Sequence, residues 1–409
     1  MKNEDQKLKQ SKISMYVIIF IAYFFVNFHR YAGSMSAPVL IDELGFTPTQ
    51  IGWFGAIFTY CYAFANLPAG ILIDKFGSRK LIAVLYIGAA VGTLFLATGN
   101  NYAMILIGRA LIAAGIAPVY VAACKVIAEW EVPEKFSAMN GYLMAFGRAG
   151  GIVAATPLAL LMASVGWRNT YYIFALISLV IGIAAWILIR DKKEDKIQQG
   201  ANPFKGLGKL VGQSQYWLLV LFMMAATATV QNIFSNWGGV FMIQGLGYDA
   251  NTTANVLVFC AIASATGSLF AGTVVKKTSP RKAVMIGGTV LMIGTATLAF
   301  FAPVLSQTAV FTVFIVMGFA EFYTISTGFS LLRTILPAKF VGTAMGMANF
   351  MMWGVGASII AQLWGAWIPD DYAISGFQTA FTFHAVILLV GLISVFFVKE
   401  KTIPALENL

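Results

Sequence analysis

Three arginines and one glutamate lie inside long apolar stretches of this sequence, where a charge is costly: Arg30, Arg109, Arg148 and Glu321. An ionised side chain at the middle of a membrane helix costs at least about 2.5–3.5 kcal/mol, so such residues face a partner or a cavity. A guanidinium binds carboxylate or phosphate with paired hydrogen bonds. A carboxyl group can bind and release a proton, because burial and nearby arginines shift its pKa in opposite directions.

The elements that must position these residues are apolar helices. The chain has 409 residues, of which 59% are hydrophobic and 11% charged, with a mean hydropathy of +0.79. Soluble domains have roughly a quarter charged residues. Runs of roughly 20 apolar residues are long enough to cross a bilayer as helix, and they predict an all-α polytopic membrane protein. The twelve predicted spans cover residues 14–37, 50–73, 78–97, 102–127, 137–163, 168–190, 214–243, 252–274, 281–301, 307–333, 341–366 and 376–398.

The lysines and arginines are distributed unevenly between the two sides of these spans. With the N-terminus in the cytoplasm, 22 of the 27 Lys and Arg residues fall on the cytoplasmic side, four lie within spans and only Arg168 lies in an outer loop. This asymmetry follows the positive-inside rule. It predicts a multi-pass protein of the plasma (bacterial inner) membrane with both termini in the cytoplasm. The net charge of +10 then belongs to the surface that meets membrane lipid, and nucleic acid is not expected as a partner.

The chain contains an internal repeat. Residues 70–80 and 272–282 share a glycine, a lysine and an Arg-Lys pair at identical spacing, 202 positions apart. A charged stretch at 191–213 separates the copies and is expected to be a cytoplasmic linker. We therefore predict an N-terminal bundle over 1–190 and a C-terminal bundle over 214–409. Repeated halves are typical of transporters with a substrate site between them at the bilayer midplane.

The first copy resembles the loop motif of the major facilitator superfamily, G-x-L-x-D-[RK]-x-G-x-[RK]-[RK], and matches it at every defining position. The gating residues implied by this resemblance are Gly70, Asp74, Gly77, Arg79 and Lys80. It also implies a twelve-helix fold of two pseudo-symmetric six-helix bundles. Glycines permit close helix approach, and Asp74 is expected to face basic residues and a helix N-terminus. The alternative is a basic turn that only sets topology. The second copy has Lys276 in place of Asp74 and is expected to lack the full clasp.

The first half supplies cationic candidates. Arg30 and Arg148 are predicted to bind substrate; the alternative is snorkelling for Arg30 and a bond to neighbouring helix carbonyls for Arg148. Arg109 lies in a segment, 108–115, that resembles a family element associated with proton coupling, although a structural role is equally compatible. His29 is a candidate for proton coupling because histidine titrates near physiological pH, or else a packing residue. Lys125, near the inner end of its span, is expected to snorkel to the interface.

The second half supplies polar and acidic candidates. Gln231, Asn232 and Asn236, together with Ser235, form one polar stripe of a helix and are predicted to contact substrate; interhelical hydrogen bonding is the alternative. Trp353 is also assigned to the substrate site, since alignment of spans five and eleven places it opposite Arg148. Glu321 is predicted to couple transport to a proton, or else to form a fixed salt bridge with Arg148 or Arg30.

Together these features predict a secondary active transporter that moves a small organic anion, a carboxylate, by alternating access with proton or cation coupling. Segments 127–130, 133–134 and 166–168 resemble the anion:cation symporter group of the superfamily. The alternative is a drug/proton antiporter, but span five lacks the Gly-Pro element of that group. No catalytic or nucleotide-binding motif indicates an enzyme, and the three cysteines form no metal motif. No cofactor or metal is expected, and one chain that carries both halves is predicted to act as a monomer.

Overall fold

The computed structural model of the chain describes residues 2–191, 212–278, 281–336 and 338–399. Within these ranges the regular secondary structure is helical, as the apolar runs predict. In lipid a helix satisfies its backbone hydrogen bonds internally, which is why such runs form helices and not open sheets.

The first described range, residues 2–191, contains nine helices. They are α1 (Lys2–Leu44), α2 (Pro48–Asn66), α3 (Ala69–Phe76), α4 (Ser78–Thr98), α5 (Tyr102–Ile116), α6 (Val119–Trp130), α7 (Pro133–Val153), α8 (Thr156–Val165) and α9 (Trp167–Leu188). Prolines divide three of the predicted spans, because proline lacks the backbone N–H that a helix interior needs. Pro68 and Pro118 precede α3 and α6, and Pro157 lies in the first turn of α8. The chain bends by 52° between α2 and α3 and by 42° between α7 and α8.

The second half is less regular, because two of its spans contain π-helical segments. Its helices are α10 (Ser214–Asn232), α11 (Gly238–Val240), α12 (Ala250–Thr278), α13 (Arg281–Phe300), α14 (Gln307–Ile335), α15 (Ala338–Asn349), α16 (Ser358–Trp367) and α17 (Ile374–Phe397), with a 3-10 turn at Ala302–Val304. The π-helical segments Ile233–Trp237 and Phe241–Gly245 flank α11, and Phe350–Ala357 joins α15 to α16. Single π-helical turns occur frequently at functional sites.

All twelve predicted spans coincide with a helix or a consecutive set of helices. In the described part of the chain, nine helices are long and apolar enough to cross a membrane, and up to eleven spans result if each bent pair counts as one. The predicted span that is not among these eleven is 252–274, which corresponds to α12. This helix has 29 residues and begins with a polar run, Asn251-Thr-Thr-Ala-Asn255. Helix α1 continues to Leu44, beyond the predicted end at residue 37.

The chain divides into two compact units, Met1–Phe46 with Ile57–Ile197, and Thr47–Ala56 with Gln198–Leu409. The N-terminal half of α2 therefore belongs to the second unit, where the Thr49 hydroxyl donates to the Gly365 carbonyl at 3.3 Å. Most of the predicted linker lies outside the described residues. The boundaries at 190 and 214 stay a prediction.

Close packing of α4 against α5 fixes the centre of the first unit. A Cβ atom added to Gly108 would lie 2.7 Å from the Gly92 carbonyl oxygen, and one added to Gly92 would lie 2.7 Å from the Gly108 carbonyl. Such contacts between small residues let helices associate in lipid. They also place Arg109, the neighbour of Gly108, within the first unit at a fixed depth.

Candidate functional site

Arg109 and His29 form one buried contact in the first unit. Arg109 is 2% exposed, and its Nη1 donates to the His29 carbonyl oxygen at 3.0 Å. Its guanidinium also lies 4.3 Å from the centre of the Phe58 ring. The His29 imidazole Nε2 lies 3.4 Å from the Ser178 hydroxyl. These contacts join α1 to α2, α5 and α9, so both residues have a structural role, and their coupling role stays a prediction.

Arg30 lies among tyrosines. Its guanidinium is 4.6 Å from the centre of the Tyr62 ring. Tyr23 is within electrostatic range of both Arg30 and Arg148. We refer to Tyr23, Arg30, Tyr62 and Arg148 as the Arg-Tyr cluster. It combines two cationic groups with phenolic hydroxyls, which is a suitable set of donors for a carboxylate.

The cluster is supported by further polar and aromatic contacts. The Tyr23 and Tyr120 rings have centroids 5.1 Å apart, and the Tyr120 hydroxyl donates to the Asn140 amide oxygen at 3.2 Å. Arg30 and Arg148 are each partly exposed, unlike the buried Arg109. Part of each side chain is therefore not covered by protein, whereas Arg109 is enclosed by its neighbours.

The predicted amide stripe lies in the second unit, where α10 passes into its π-helical segment. Asn232 donates through Nδ2 to the carbonyls of Ala228 at 2.8 Å and Ala357 at 3.1 Å. Ser235 donates to the Gln231 side-chain oxygen at 3.3 Å. Asn232 therefore joins α10 to the Phe350–Ala357 segment, which agrees with the interhelical alternative for this residue.

Asn236 differs from the rest of the stripe. It is 3% exposed, and neither its Nδ2 nor its Oδ1 has a hydrogen-bond partner among the described residues. Its amide packs directly against Gly55 of α2, where a Cβ atom would collide with it. A buried amide without partners costs about 1–3 kcal/mol. Of the predicted stripe, Asn236 therefore has the strongest need for a ligand or a water.

Trp353 lies in the Phe350–Ala357 segment and is half-buried. Trp353 thus belongs to the π-helical part of span eleven, the same segment whose Ala357 carbonyl accepts a hydrogen bond from Asn232. The predicted position of Trp353 opposite Arg148 stays a prediction.

Glu321 is fully buried in α14. Two neighbours that share its helix, Thr324 and Thr327, donate their hydroxyls to carbonyls of the same helix, Ala320 at 2.5 Å and Tyr323 at 2.9 Å. These hydroxyls donate within their own helix, and Glu321 is the acidic side chain of this segment. Its role in coupling stays a prediction.

The loop motif occupies α3, Gly77 and the start of α4. Lys125 Nζ lies 2.9 Å from Asp74 Oδ1 and 3.9 Å from Glu129 Oε1. Lys125 thus joins α6 to α3 through an ion pair, and its snorkelling to the interface stays a prediction. Asp74 is 73% exposed, and an exposed pair of this kind contributes at most about 1 kcal/mol.

The carboxylate at the helix N-terminus is Asp191 and not Asp74. The Arg79 backbone N–H donates to the Asp191 carboxylate at 3.1 Å, in the first turn of α4, where a negative charge is favourable. Arg79 Nε donates to the Trp186 carbonyl at 2.5 Å. Asp191 and Arg79 therefore join α4 to the end of α9.

The motif glycines differ from each other. Gly77 has φ = +80°, and a Cβ atom there would collide with the Asp191 carboxylate. Gly70 is exposed with no atom within 4 Å of an added Cβ, so the expected close approach does not occur at that position. Lys80 is exposed to solvent.

The second copy of the motif makes different contacts. Arg281 Nε donates to the Ser330 hydroxyl at 3.1 Å, and Lys282 Nζ donates to the Phe396 carbonyl at 2.6 Å. These are bonds to a hydroxyl and to the C-terminal end of α17. The side chain of Lys276 lies outside the described residues.

We expect Gly77→Ala to lower the free energy of unfolding by about 2 kcal/mol, since alanine is strained at positive φ and its methyl group displaces Asp191. Thermal unfolding of the purified protein measures this. Gly88→Ala is the matched control on α4, because nothing lies within 4 Å of its added Cβ. In the double variant Gly77→Ala/Asp191→Ala, the loss of stability should be smaller than the sum of the losses in the two single variants, because neighbouring residues couple. Equal Tm values for Gly77→Ala and Gly88→Ala would contradict this account.

A second acidic residue joins helices at the same end of the unit. Glu131 Oε1 lies 2.9 Å from Lys12 Nζ and accepts a hydrogen bond from the Tyr16 hydroxyl at 2.8 Å. Burial alone raises the pKa of Glu131, but the bonds from Lys12 and Tyr16 outweigh it, so the pKa lies below its ordinary value of 4.5. Glu131 thereby connects the N-terminal part of α1 to the α6–α7 loop.

We expect Glu131→Gln to lower Tm at pH 7 and to leave it nearly unchanged in acid. A carboxyl group with a depressed pKa stabilises the fold above its ordinary pKa, and this contribution is lost as the pH falls through the folded value. Thermal unfolding at several pH values from 7 to below 4.5 measures the difference from wild type. A difference that stays constant across this range would show that the ionised form is not what stabilises the contact.

Sequence analysis did not identify Asp191, Glu131 or Tyr62 as site residues. Asp191 and Glu131 each follow the end of a span by one to three residues, so acidic residues at span ends, on the lysine-rich side, were the available signal. Tyr62 carried no such sequence signal, because aromatic residues are common in apolar runs. Among the described residues there is no group of three or more His, Cys, Asp or Glu that could hold a metal ion.

Comparison with known proteins identifies the class. The sequence profile of the Major Facilitator Superfamily matches residues 19–361. The chain is 22% identical to the probable sulfoacetate transporter SauU of Cupriavidus necator, over 93% of this chain and 92% of that protein. It is 22% identical to the hexuronate transporter of Bacillus subtilis, over 95% and 93% respectively. A solved bacterial homologue of the human lysosomal transporter Spinster has a TM-score of 0.81 at 16% identity, covering 96% of this chain and 99% of the other.

The protein is thus a polytopic membrane transporter and not an enzyme. Specifically, the chain belongs to the Major Facilitator Superfamily, which confirms the family predicted from residues 70–80. The twelve-helix fold predicted from the apolar runs is confirmed with it.

Proposed function

We propose that this protein is a secondary active transporter of a small organic anion, most simply a carboxylate, and that the Arg-Tyr cluster binds the anionic group. The observation that carries the proposal is the position of Arg30 and Arg148, both within electrostatic range of Tyr23 and both partly exposed. The names of two relatives that match nearly the whole chain, a sulfoacetate and a hexuronate transporter, support a small organic acid as the substrate.

The physical argument concerns charge. Two guanidinium groups near one tyrosine repel each other in a medium of low dielectric constant, and an anion between them removes the repulsion. Arginine suits this function better than lysine because its planar donors bind both oxygens of a carboxylate at once. Stacking on the Tyr62 ring holds the Arg30 guanidinium in place before the substrate arrives, which lowers the entropic cost of binding.

The second unit supplies the complementary functions. Asn236 offers a buried donor and acceptor for the polar part of the substrate, with Gln231 and Trp353 as further contacts. Glu321 takes up and releases a proton, which makes H⁺ the coupling ion. Alternating access exposes the cluster to each side of the plasma membrane in turn, and both termini lie in the cytoplasm. The protein acts as a monomer, since one chain carries both units.

A thermal-shift screen of the purified protein tests the substrate class. Galacturonate, glucuronate, galactonate and sulfoacetate are compared with phosphorylated sugars and lipophilic cations. We expect one or more of the small acids to raise Tm, because a ligand that binds only the folded state stabilises it in proportion to ln(1 + [L]/Kd). A response confined to the lipophilic cations would replace the proposal with the drug/proton antiporter.

A further inference from the structure

An apolar groove runs between α1 and α9 on the outside of the first unit. It has a volume of about 450 Å³ and only apolar lining residues. Those that define its length and floor are Val17, Ile18, Ile21, Leu176, Ala184 and Leu188. Ile18 is buried at the floor, whereas Val17 and Leu176 are more than half exposed at the rim. The rim is therefore open toward the lipid that surrounds a transporter of this family.

Contacts between the two helices lie beyond the lining residues in both directions along α1 and α9. At one end the Phe28 and Phe174 rings have centroids 4.4 Å apart. At the other end the Arg190 backbone N–H donates to Met15 Sδ at 3.3 Å. The α9 lining extends from Leu176 to Leu188, which at 1.5 Å per residue is about 18 Å. One leaflet contributes about 15 Å to the hydrocarbon core of a bilayer, so the groove has the length of one acyl chain.

Arg190 follows Leu188, the last lining residue of α9, by two positions. The backbone of Arg190 is held on both sides, by Met15 and by a hydrogen bond from Trp130 Nε1 to its carbonyl at 3.0 Å. The residue is exposed, and no ion pair of Arg190 is found within the ranges that the structure describes. The carboxylate of the next residue, Asp191, is directed to the backbone of Arg79.

We propose that this groove binds one phospholipid with an anionic headgroup, whose acyl chain fills the space between α1 and α9 and whose phosphate is bound by Arg190. Guanidinium donors bind phosphate oxygens in pairs, and basic sites at the cytoplasmic ends of membrane helices recognise anionic headgroups. The lipid would complete the α1–α9 contact, which also includes the His29–Ser178 bond near the Arg-Tyr cluster. The site does not depend on the identity of the transported anion.

Native mass spectrometry of the full-length protein, titrated with phosphatidylglycerol or phosphatidylethanolamine of equal chain length, tests this proposal. In wild type we expect phosphatidylglycerol to occupy one site at least about fivefold more tightly, since a basic residue at an anionic headgroup contributes roughly 1 kcal/mol. Arg190→Gln should reduce that affinity to the level of phosphatidylethanolamine.

Two substitutions on neighbouring residues of α9 separate the groove from the general lipid surface. Ala184→Phe places a ring in the groove and should reduce binding of both lipids, whereas Ile183→Phe, which is exposed but not part of the lining, should bind as wild type does. Equal lipid binding by Ala184→Phe and Ile183→Phe would overturn the acyl-chain site. Unchanged selectivity in Arg190→Gln would overturn the headgroup assignment. Because Arg190 is exposed, that variant tests the headgroup assignment even if Ala184→Phe fails to fold.

Discussion

Replacing Arg30 with methionine should weaken binding of the transported anion by about 2–4 kcal/mol, or roughly 30- to 1,000-fold in Kd. Removing one member of a desolvated, hydrogen-bonded charge pair typically costs this much. Methionine keeps an unbranched apolar stem that can still pack against Tyr62, so the loss reflects the guanidinium. Binding is measured by titration calorimetry with the small acid that gives the largest thermal shift.

Arg30→Lys distinguishes charge from geometry. Lysine retains the positive charge but lacks the planar donors and the stacking surface that place Arg30 at 4.6 Å from the Tyr62 ring centre. We expect an intermediate loss of about tenfold in Kd. Wild-type affinity in Arg30→Lys would mean that the site reads charge alone.

Arg168 provides the matched control for these variants. It also stacks on an aromatic ring, that of Trp167 at 4.4 Å, but its Nη1 donates to the carbonyls of Ala97 and Gly99 at 3.0 and 2.9 Å. Arg168→Met should therefore lower Tm while leaving Kd for the anion unchanged. If Arg168→Met weakens anion binding as much as Arg30→Met does, both variants report a general loss of structure. The Arg-Tyr cluster would then not be the binding site.

The positions of the helices follow from the sequence because a bilayer enforces a simple rule. About 20 apolar residues are needed for each crossing, and every predicted span coincides with helical structure. The bends at Pro68 and Pro157 were also accessible, since proline in a helix interior removes a hydrogen bond. The π-helical segments were not, because a residue inserted in a helical turn leaves no composition signal in an apolar run. The bond from Asn232 to the Ala357 carbonyl ends on one of these segments.

Contacts between side chains far apart in the sequence were harder to predict than depth. Asp74 and Asp191 illustrate the limit: both are acidic residues beside basic turns, and the family motif favours Asp74 for the helix N-terminus. The structure gives that position to Asp191, because the end of α9 packs beside the start of α4, and Asp74 pairs with Lys125 instead. Arg109 shows the same limit, since its sequence position reveals its depth but not that its donor is committed to the His29 carbonyl.

Glu321→Gln should abolish accumulation of the anion that is driven by a pH gradient while preserving exchange of labelled for unlabelled substrate. Glutamine has nearly the same shape as a protonated glutamic acid, so the packing around this fully buried residue is retained, but it cannot release a proton. A gradient of one pH unit stores about 1.4 kcal/mol per proton, enough for roughly tenfold accumulation. Proteoliposomes with an imposed gradient measure the accumulation, and counterflow measures the exchange.

Glu43→Gln is the matched control for Glu321→Gln, because it makes the same substitution at a carboxylate outside the proposed coupling site. Glu43 lies at the end of α1, where its Oε2 accepts a hydrogen bond from Trp167 Nε1 at 2.6 Å, so the amide should leave pH-driven accumulation intact. Three measurements then separate the alternatives for Glu321. Loss of accumulation with retained exchange supports proton transfer. Loss of both, with the anion still raising Tm, supports a fixed salt bridge of Glu321 that every step of transport requires. Full gradient dependence in Glu321→Gln would remove this residue from the coupling mechanism, because a side chain that cannot ionise cannot carry the proton.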